Sequence, residues 1–155
     1  MVFGIAACPF LSLLACLDTD RFPDAHNYCA YLFFIFYIIF ESLTTVTASH
    51  LGRARPELFG LSYKLKLVIT ILAGVFFFIY IPVGLGVVYG SDKCAFQYDE
   101  ATKQWDYSNC SGLHVLRAVF QQLTALCFLV FTGSMYEDLR VMDARPATAH
   151  NTFTA

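Results

Sequence analysis

Apolar positions fall in long unbroken blocks along this chain rather than alternating with polar ones. Leu67 to Tyr89 contains no charged residue, and neither do Met1 to Leu17 or Ala118 to Tyr136. An uncharged apolar run of about 18 residues is long enough to cross roughly 30 Å of hydrocarbon as a helix. Within lipid every backbone polar group must be satisfied inside the segment, which leaves the helix as the open-ended solution. Continuous rather than alternating runs exclude a membrane barrel. The pattern therefore predicts an all-α, polytopic membrane helix bundle with four transmembrane spans: Met1–Leu17, Asn27–Ala48, Leu67–Tyr89 and Leu113–Tyr136. The first run is short, contains Pro9, and has the length of a signal-peptide core. It lacks a charged segment before the apolar stretch, and a span is the preferred reading.

The polar connections set an orientation. Asp18 to Ala25 holds three acids against Arg21 alone, whereas Ser49 to Lys66 holds Arg53, Arg55, Lys64 and Lys66. The connection Gly90–Gly112 has Lys93 and Lys103, and the tail has Arg140 and Arg145. Basic residues mark the cytoplasmic side. The Ser49–Lys66 connection and both termini are thus expected in the cytoplasm, and the other two connections in a lumen or outside. Residues 140–155 are expected to form a disordered cytoplasmic tail.

Composition agrees with this solvent. The chain of 155 residues is 57% hydrophobic and 14% charged, too little charge to clothe a soluble domain, which carries about 25%. A formal net charge of −2, with no basic patch and no Gly-rich phosphate loop, gives no sign of nucleic-acid binding. No cofactor and no metal site are expected, because no cysteine pair has zinc-ligand spacing near a histidine.

Cys94 and Cys110 are the two cysteines well outside the apolar runs. On an oxidising side they are expected to close a disulfide over the bundle; the alternative is two unpaired thiols. Asn109-Cys110-Ser111 matches a glycosylation sequon, but its middle residue is that same cysteine close to the membrane, and it is not read as used. Cys8, Cys16, Cys29 and Cys127 read as small packing residues. In the third span, Pro82 with Gly84, Gly86 and Gly90 bends or thins the helix, and Gly86/Gly90 have the spacing of a close helix contact.

At about 100° per residue, Asn27, Ala30, Phe34, Tyr37, Glu41 and Thr45 fall along one stripe of the second span. His114, Arg117, Gln121, Thr124, Phe128 and Thr132 fall along one stripe of the fourth. Intramembrane polar residues face a bundle interior or a water-filled cavity, so these two helices are expected to meet. Depth separates the polar groups into two sites. Glu41 lies about 22 Å further in than His26 at a rise of about 1.5 Å per residue, while Arg117 lies near the outer surface. An outer cluster of Asp24, His26, Asn27, His114, Arg117 and Gln121 is expected, and an inner site at Glu41. Lys64, Lys66, Thr44 and Thr45 are the candidate partners of Glu41. The structural reading makes these groups helix caps, headgroup anchors and a protonated Glu41. The functional reading makes the outer cluster a lipid-headgroup site, with Arg117 holding a phosphate and the histidines donating to it or exchanging protons.

The stretch "PDAHNYCAYLFF", a short basic turn, a span ending "VVYG", a connection bounded by Cys94 and Cys110, and "SGLHVLRAVFQQLTALCFLVFTGSMYEDL" together resemble the Frag/DRAM/Sfk superfamily. The nearest likeness is to post-GPI-attachment-to-proteins factor two and the N-terminal domain of CWH-type proteins. The resemblance covers residues 1–139. It implies residence in the Golgi or endoplasmic reticulum and a part in remodelling the lipid of GPI anchors. Membrane lipids, the anchor lipid among them, and a membrane enzyme are the implied partners. Sister families imply instead a plasma-membrane or lysosomal regulator of phosphoinositide kinase, lipid asymmetry or autophagy. Relatives usually carry further spans before the segment matching Met1–Leu17, so the chain is expected to be a short member or to lack N-terminal spans. An acyl-transfer enzyme is the alternative class. It needs a nucleophile and an oriented base, and the chain has no G-x-S-x-G elbow and no histidine followed at short spacing by aspartate. His26 with Asp24 is the one base pairing the sequence offers, and a non-catalytic lipid- or partner-binding factor is the preferred reading.

Overall fold

A computed structural model describes residues 2–17, 21–54, 56–88, 94, 97–99, 101–102, 104–106 and 109–143. The acids Asp18 and Asp20, the glycine Gly90, the lysines Lys93 and Lys103, and residues 144–155 lie outside them. Four helices follow in order: α1, Val2–Cys16; α2, Pro23–Ala54; α3, Pro56–Val88; and α4, Ser111–Asp143. Two short strands, β1 (Gln97–Asp99) and β2 (Gln104–Asp106), pair antiparallel between α3 and α4.

α2, α3 and α4 are long and apolar enough to cross a membrane. At 32, 33 and 33 residues they reach nearly 50 Å at about 1.5 Å per residue. α1 has 15 residues, about 22 Å by the same rise, and is shorter than a roughly 30 Å core requires. Three of the four expected spans thus meet the length on their own. Only 22%, 28% and 22% of the most apolar windows of α2, α3 and α4 are buried within the protein. Leu61, Phe78, Leu129 and Val115 are among the large apolar side chains left on the outside, as helices dissolved in lipid require.

The basic connection is mostly helix, which corrects its placement as a loop from Ser49 to Lys66. α2 continues to Ala54 and α3 begins at Pro56. Proline suits a first helical turn, because its missing N–H would find no partner there and its φ is already helical. The charged residues flanking the apolar runs are themselves good helix formers, so the helices outlast the hydrocarbon. α4 likewise continues to Asp143. The α3–α4 connection contains a hairpin, in which Tyr98 pairs with Trp105. Its turn is held by Asp99, which accepts from the Ala101 N–H at 2.9 Å and the Thr102 hydroxyl at 2.8 Å. Those two donors, the backbone one first, hold the Asp99 carboxyl below the usual aspartate range.

The chain divides into two compact units, Met1–Thr70 with Phe128–Ala155, and Ile71–Cys127. In the first, α1 packs along α2. Phe36 of α2 stacks on Phe3 and Phe10 of α1, with centroids 6.3 and 5.5 Å apart. A Cβ on Gly4 would stand 3.1 Å from the Phe40 ring, so glycine allows this close approach. α2 meets the second half of α4 through Phe33, Phe34 and Tyr37 on Phe128, with the Tyr37 and Phe128 centroids 4.2 Å apart. In the second unit Ala73, Phe77 and Tyr80 are buried, and Phe76 meets Phe120 at 5.9 Å.

Candidate functional site

The polar stripe of α2 is buried as its spacing predicts. Asn27, Ala30, Phe34, Glu41 and Thr45 are within 6% of complete burial, and Tyr37 is half-buried. The Tyr37 hydroxyl bonds the Thr132 hydroxyl of α4, and Thr45 bonds Thr70 of α3 at 2.9 Å. The α4 stripe buries His114, Thr124 and Phe128; Arg117 and Gln121 are half-buried, and Thr132 is exposed apart from its bond to Tyr37. Within the first unit α2 meets α4 at Phe128 and Thr132.

Glu41 is fully buried at 0% exposure, and neither carboxyl oxygen has a hydrogen-bond partner among the described residues. This corrects the expectation that Lys64, Lys66 or neighbouring threonines satisfy it. Thr45 is committed to Thr70, and Lys66 is committed elsewhere. The Lys66 ammonium, on a residue 1% exposed, donates to Asp138 Oδ2 at 2.7 Å, to Ser62 Oγ at 2.7 Å and to the Ser134 carbonyl at 3.3 Å. The Ser62 hydroxyl donates in turn to Asp138 Oδ1 at 2.6 Å. Sequence reasoning missed this cluster because it ended the fourth span at Tyr136 and put Lys66 in a loop. A signal was present: Ser62 and Lys66, and Ser134 and Asp138, are both i,i+4 pairs on helix faces. The serine hydroxyl faces a carboxylate and accepts from the lysine. That is the reverse of a lysine base taking a proton from a serine nucleophile, so the cluster is an ion-pair lock rather than a catalytic dyad.

The start of α2 positions Asp24, His26 and Asn27. Pro23 and Asp24 form the first turn, and Asp24 is exposed, where a negative charge favours the positive end of the helix dipole. The His26 N–H donates to the Phe22 carbonyl at 2.9 Å, closing that turn. The His26 ring is half-buried, and its Nδ1 lies 2.9 Å from the Leu17 carbonyl, one residue beyond the end of α1. A carbonyl only accepts, so Nδ1 carries the hydrogen. The group that orients His26 is therefore a backbone carbonyl, and not Asp24.

In the second unit, Cys94 and Cys110 are joined as a disulfide with Cα atoms 5.4 Å apart, within the usual span. Cys110 has φ 60°, and its carbonyl accepts from Leu113 N at 2.9 Å and His114 N at 3.3 Å, so the bridge is built into the start of α4. His114 is buried and interacts with the backbone at Cys94 and Asn109 and with the charge of Arg117. His114 and Arg117 thus stand one turn apart directly behind the staple. Among the described residues no group of three or more His, Cys, Asp and Glu is placed to hold a metal.

Long apolar helices with buried polar stripes and charged groups at the helix ends define an integral, polytopic membrane protein. Residues 1–142 match the family model described as Frag1/DRAM/Sfk1/Cwh43P N-terminal domain, and the chain belongs to that family. Comparison with curated proteins and with solved structures gave no match.

Proposed function

We propose that the protein is a non-catalytic factor of lipid remodelling in the Golgi or endoplasmic reticulum, acting on the lipid of GPI anchors by holding a headgroup or a membrane enzyme at its lumenal side. In this reading α1 completes a four-span bundle and both termini are cytoplasmic. The observation that carries it is the start of α4: a half-buried arginine and a buried histidine one turn apart, behind a disulfide-tied connection. A guanidinium in that position offers bidentate donors to a phosphate, and the staple limits the motion of the backbone that carries it. Gln121, half-buried one turn further along α4, is a further polar group of the proposed headgroup region. Membership of the Frag1/DRAM/Sfk1/Cwh43P N-terminal family supports a role at membrane lipids, and the absence of an oriented nucleophile in the Ser62–Lys66–Asp138 cluster favours binding over acyl transfer.

The test is lipid analysis of GPI-anchored proteins in cells lacking the gene, complemented with the wild-type chain or with Arg117→Ala. Wild-type rescue with failure of Arg117→Ala at normal abundance is the expected result. Absence of any change on deletion, or full rescue by Arg117→Ala, overturns the reading. Tags at each terminus of the protein in sealed vesicles should report the same, cytoplasmic, compartment.

A further inference from the structure

The His26 ring has its two nitrogens in different situations. Nδ1 is committed to the Leu17 carbonyl at 2.9 Å. That carbonyl belongs to the last turn of α1, where the Leu17 N–H bonds Leu13 O at 2.8 Å, and such C-terminal carbonyls lack helical partners and take side-chain donors such as histidine. The cap decides the tautomer. In a neutral imidazole one nitrogen donates and the other accepts, so a hydrogen on Nδ1 leaves the lone pair on Nε2. A backbone carbonyl holding Nδ1–H is a common way of orienting the other nitrogen toward a ligand. Nε2 has no partner among the described residues.

The polarity of this nitrogen selects a ligand. An acceptor lone pair repels a phosphate oxygen and attracts an N–H or O–H donor. The charge nearby points the same way. Asp24 is exposed two residues before His26. A cationic donor fits both features. We infer that His26 is a headgroup-recognition residue whose Nε2 accepts a hydrogen bond from the primary ammonium of a phospholipid headgroup, while its Nδ1 ties the end of α1 to the start of α2. The inference rests on the reading that the protein binds lipid headgroups, and adds a class of headgroup for the start of α2 in the first unit. It also reverses the expectation that His26 donates to a phosphate.

Two ammonium headgroups make the test. Phosphatidylethanolamine carries N–H donors, and phosphatidylcholine has the same charge without them. The purified full chain is titrated with short-chain forms of each lipid at about pH 8, and bound lipid is counted by native mass spectrometry. The wild type should prefer phosphatidylethanolamine about tenfold, the value of one hydrogen bond to a charged group. His26→Asn places an amide N–H where Nδ1–H stands and nothing where Nε2 stands. It should unfold at the wild-type temperature and lose the preference, whereas His26→Ala should lose both the preference and stability. Ring nitrogen-15 spectra of the wild-type histidines should show Nδ1 of His26 protonated and Nε2 bare, a readout that needs no variant to fold. Equal binding of the two lipids by the wild type, an undiminished preference in His26→Asn, or a hydrogen on Nε2 each overturns the inference. A clear preference lost in His26→Asn, in cells whose GPI-anchored proteins do not change on deletion, supports ammonium recognition and refutes only the GPI role.

Discussion

The ion-pair lock of Lys66 makes an asymmetric prediction. Its two charged members are not equally shielded: the Lys66 side chain is 1% exposed and that of Asp138 is 23% exposed. Asp138→Ala leaves a buried ammonium with only the Ser62 hydroxyl and the Ser134 carbonyl as partners. Breaking a buried pair from that side costs about 3–5 kcal/mol, because the remaining charge is uncompensated. Lys66→Met leaves a carboxylate that keeps its bond from Ser62, at 2.6 Å, and reaches solvent; its cost should be about 1–2 kcal/mol, nearer that of one charged hydrogen bond. The double variant Lys66→Met/Asp138→Ala removes both charges and should be close to wild type, since apolar replacement of a buried pair is often neutral or stabilising. For a chain of this size each kcal/mol moves the midpoint by roughly 2–4 °C, so Asp138→Ala should unfold roughly 6–20 °C below the wild type. Thermal unfolding of the four proteins in one detergent, followed by circular dichroism, reads the cycle, and a non-additivity of at least about 2 kcal/mol is expected. A smaller loss for Asp138→Ala than for Lys66→Met, or losses that add, would refute the reasoning.

Four further outcomes follow from the same structure. Glu41→Met removes two buried oxygens without partners and should stabilise the protein by about 1–3 kcal/mol, seen as a raised midpoint; a lowered one would mean the carboxyl has a partner. Reducing the Cys94–Cys110 bridge, sixteen residues apart, should cost about 3 kcal/mol in the loop-entropy account and increase amide exchange in the hairpin and first turn of α4, with the α1–α2 packing unchanged. Tyr37→Phe loses the hydroxyl bond to Thr132 and should cost about 1 kcal/mol, small beside the ring contacts it retains. Because the folded Asp99 carboxyl lies below its ordinary range, its contribution to the hairpin turn is present above the ordinary aspartate value of about 4 and is lost as pH falls through the lowered one. The protection of Ala101 N–H, its exchange corrected for the intrinsic rate at each pH, should therefore fall on acidification, and Asp99→Ala should show little protection at any pH.

Periodicity carried much of the molecule. The unbroken apolar runs located α2, α3 and α4, because a helix is what satisfies a backbone in hydrocarbon. The stripe Asn27, Ala30, Phe34, Glu41 and Thr45 identified the buried face of α2, because intrahelical spacing is a property of the chain alone. Helix ends were less legible. Hydropathy marks where a helix leaves lipid, and backbone hydrogen bonding continues beyond that point, so Lys66 and Asp138 were placed outside helices that contain them. The hairpin was also missed, since strands as short as β1 and β2 carry almost no pattern.

Composition and spacing by themselves determined the solvent of this protein, where its three long helices lie and which side chains fall along one face of α2, since these depend only on local geometry and transfer to hydrocarbon. Tertiary structure decided the pairings: Lys66 with Asp138 rather than Glu41, Tyr37 with Thr132, and His26 with the carbonyl of Leu17 instead of Asp24. Hydrogen bonds and ion pairs act over a few ångströms between groups distant in sequence, and only the packing of one helix on another sets which groups come within that reach.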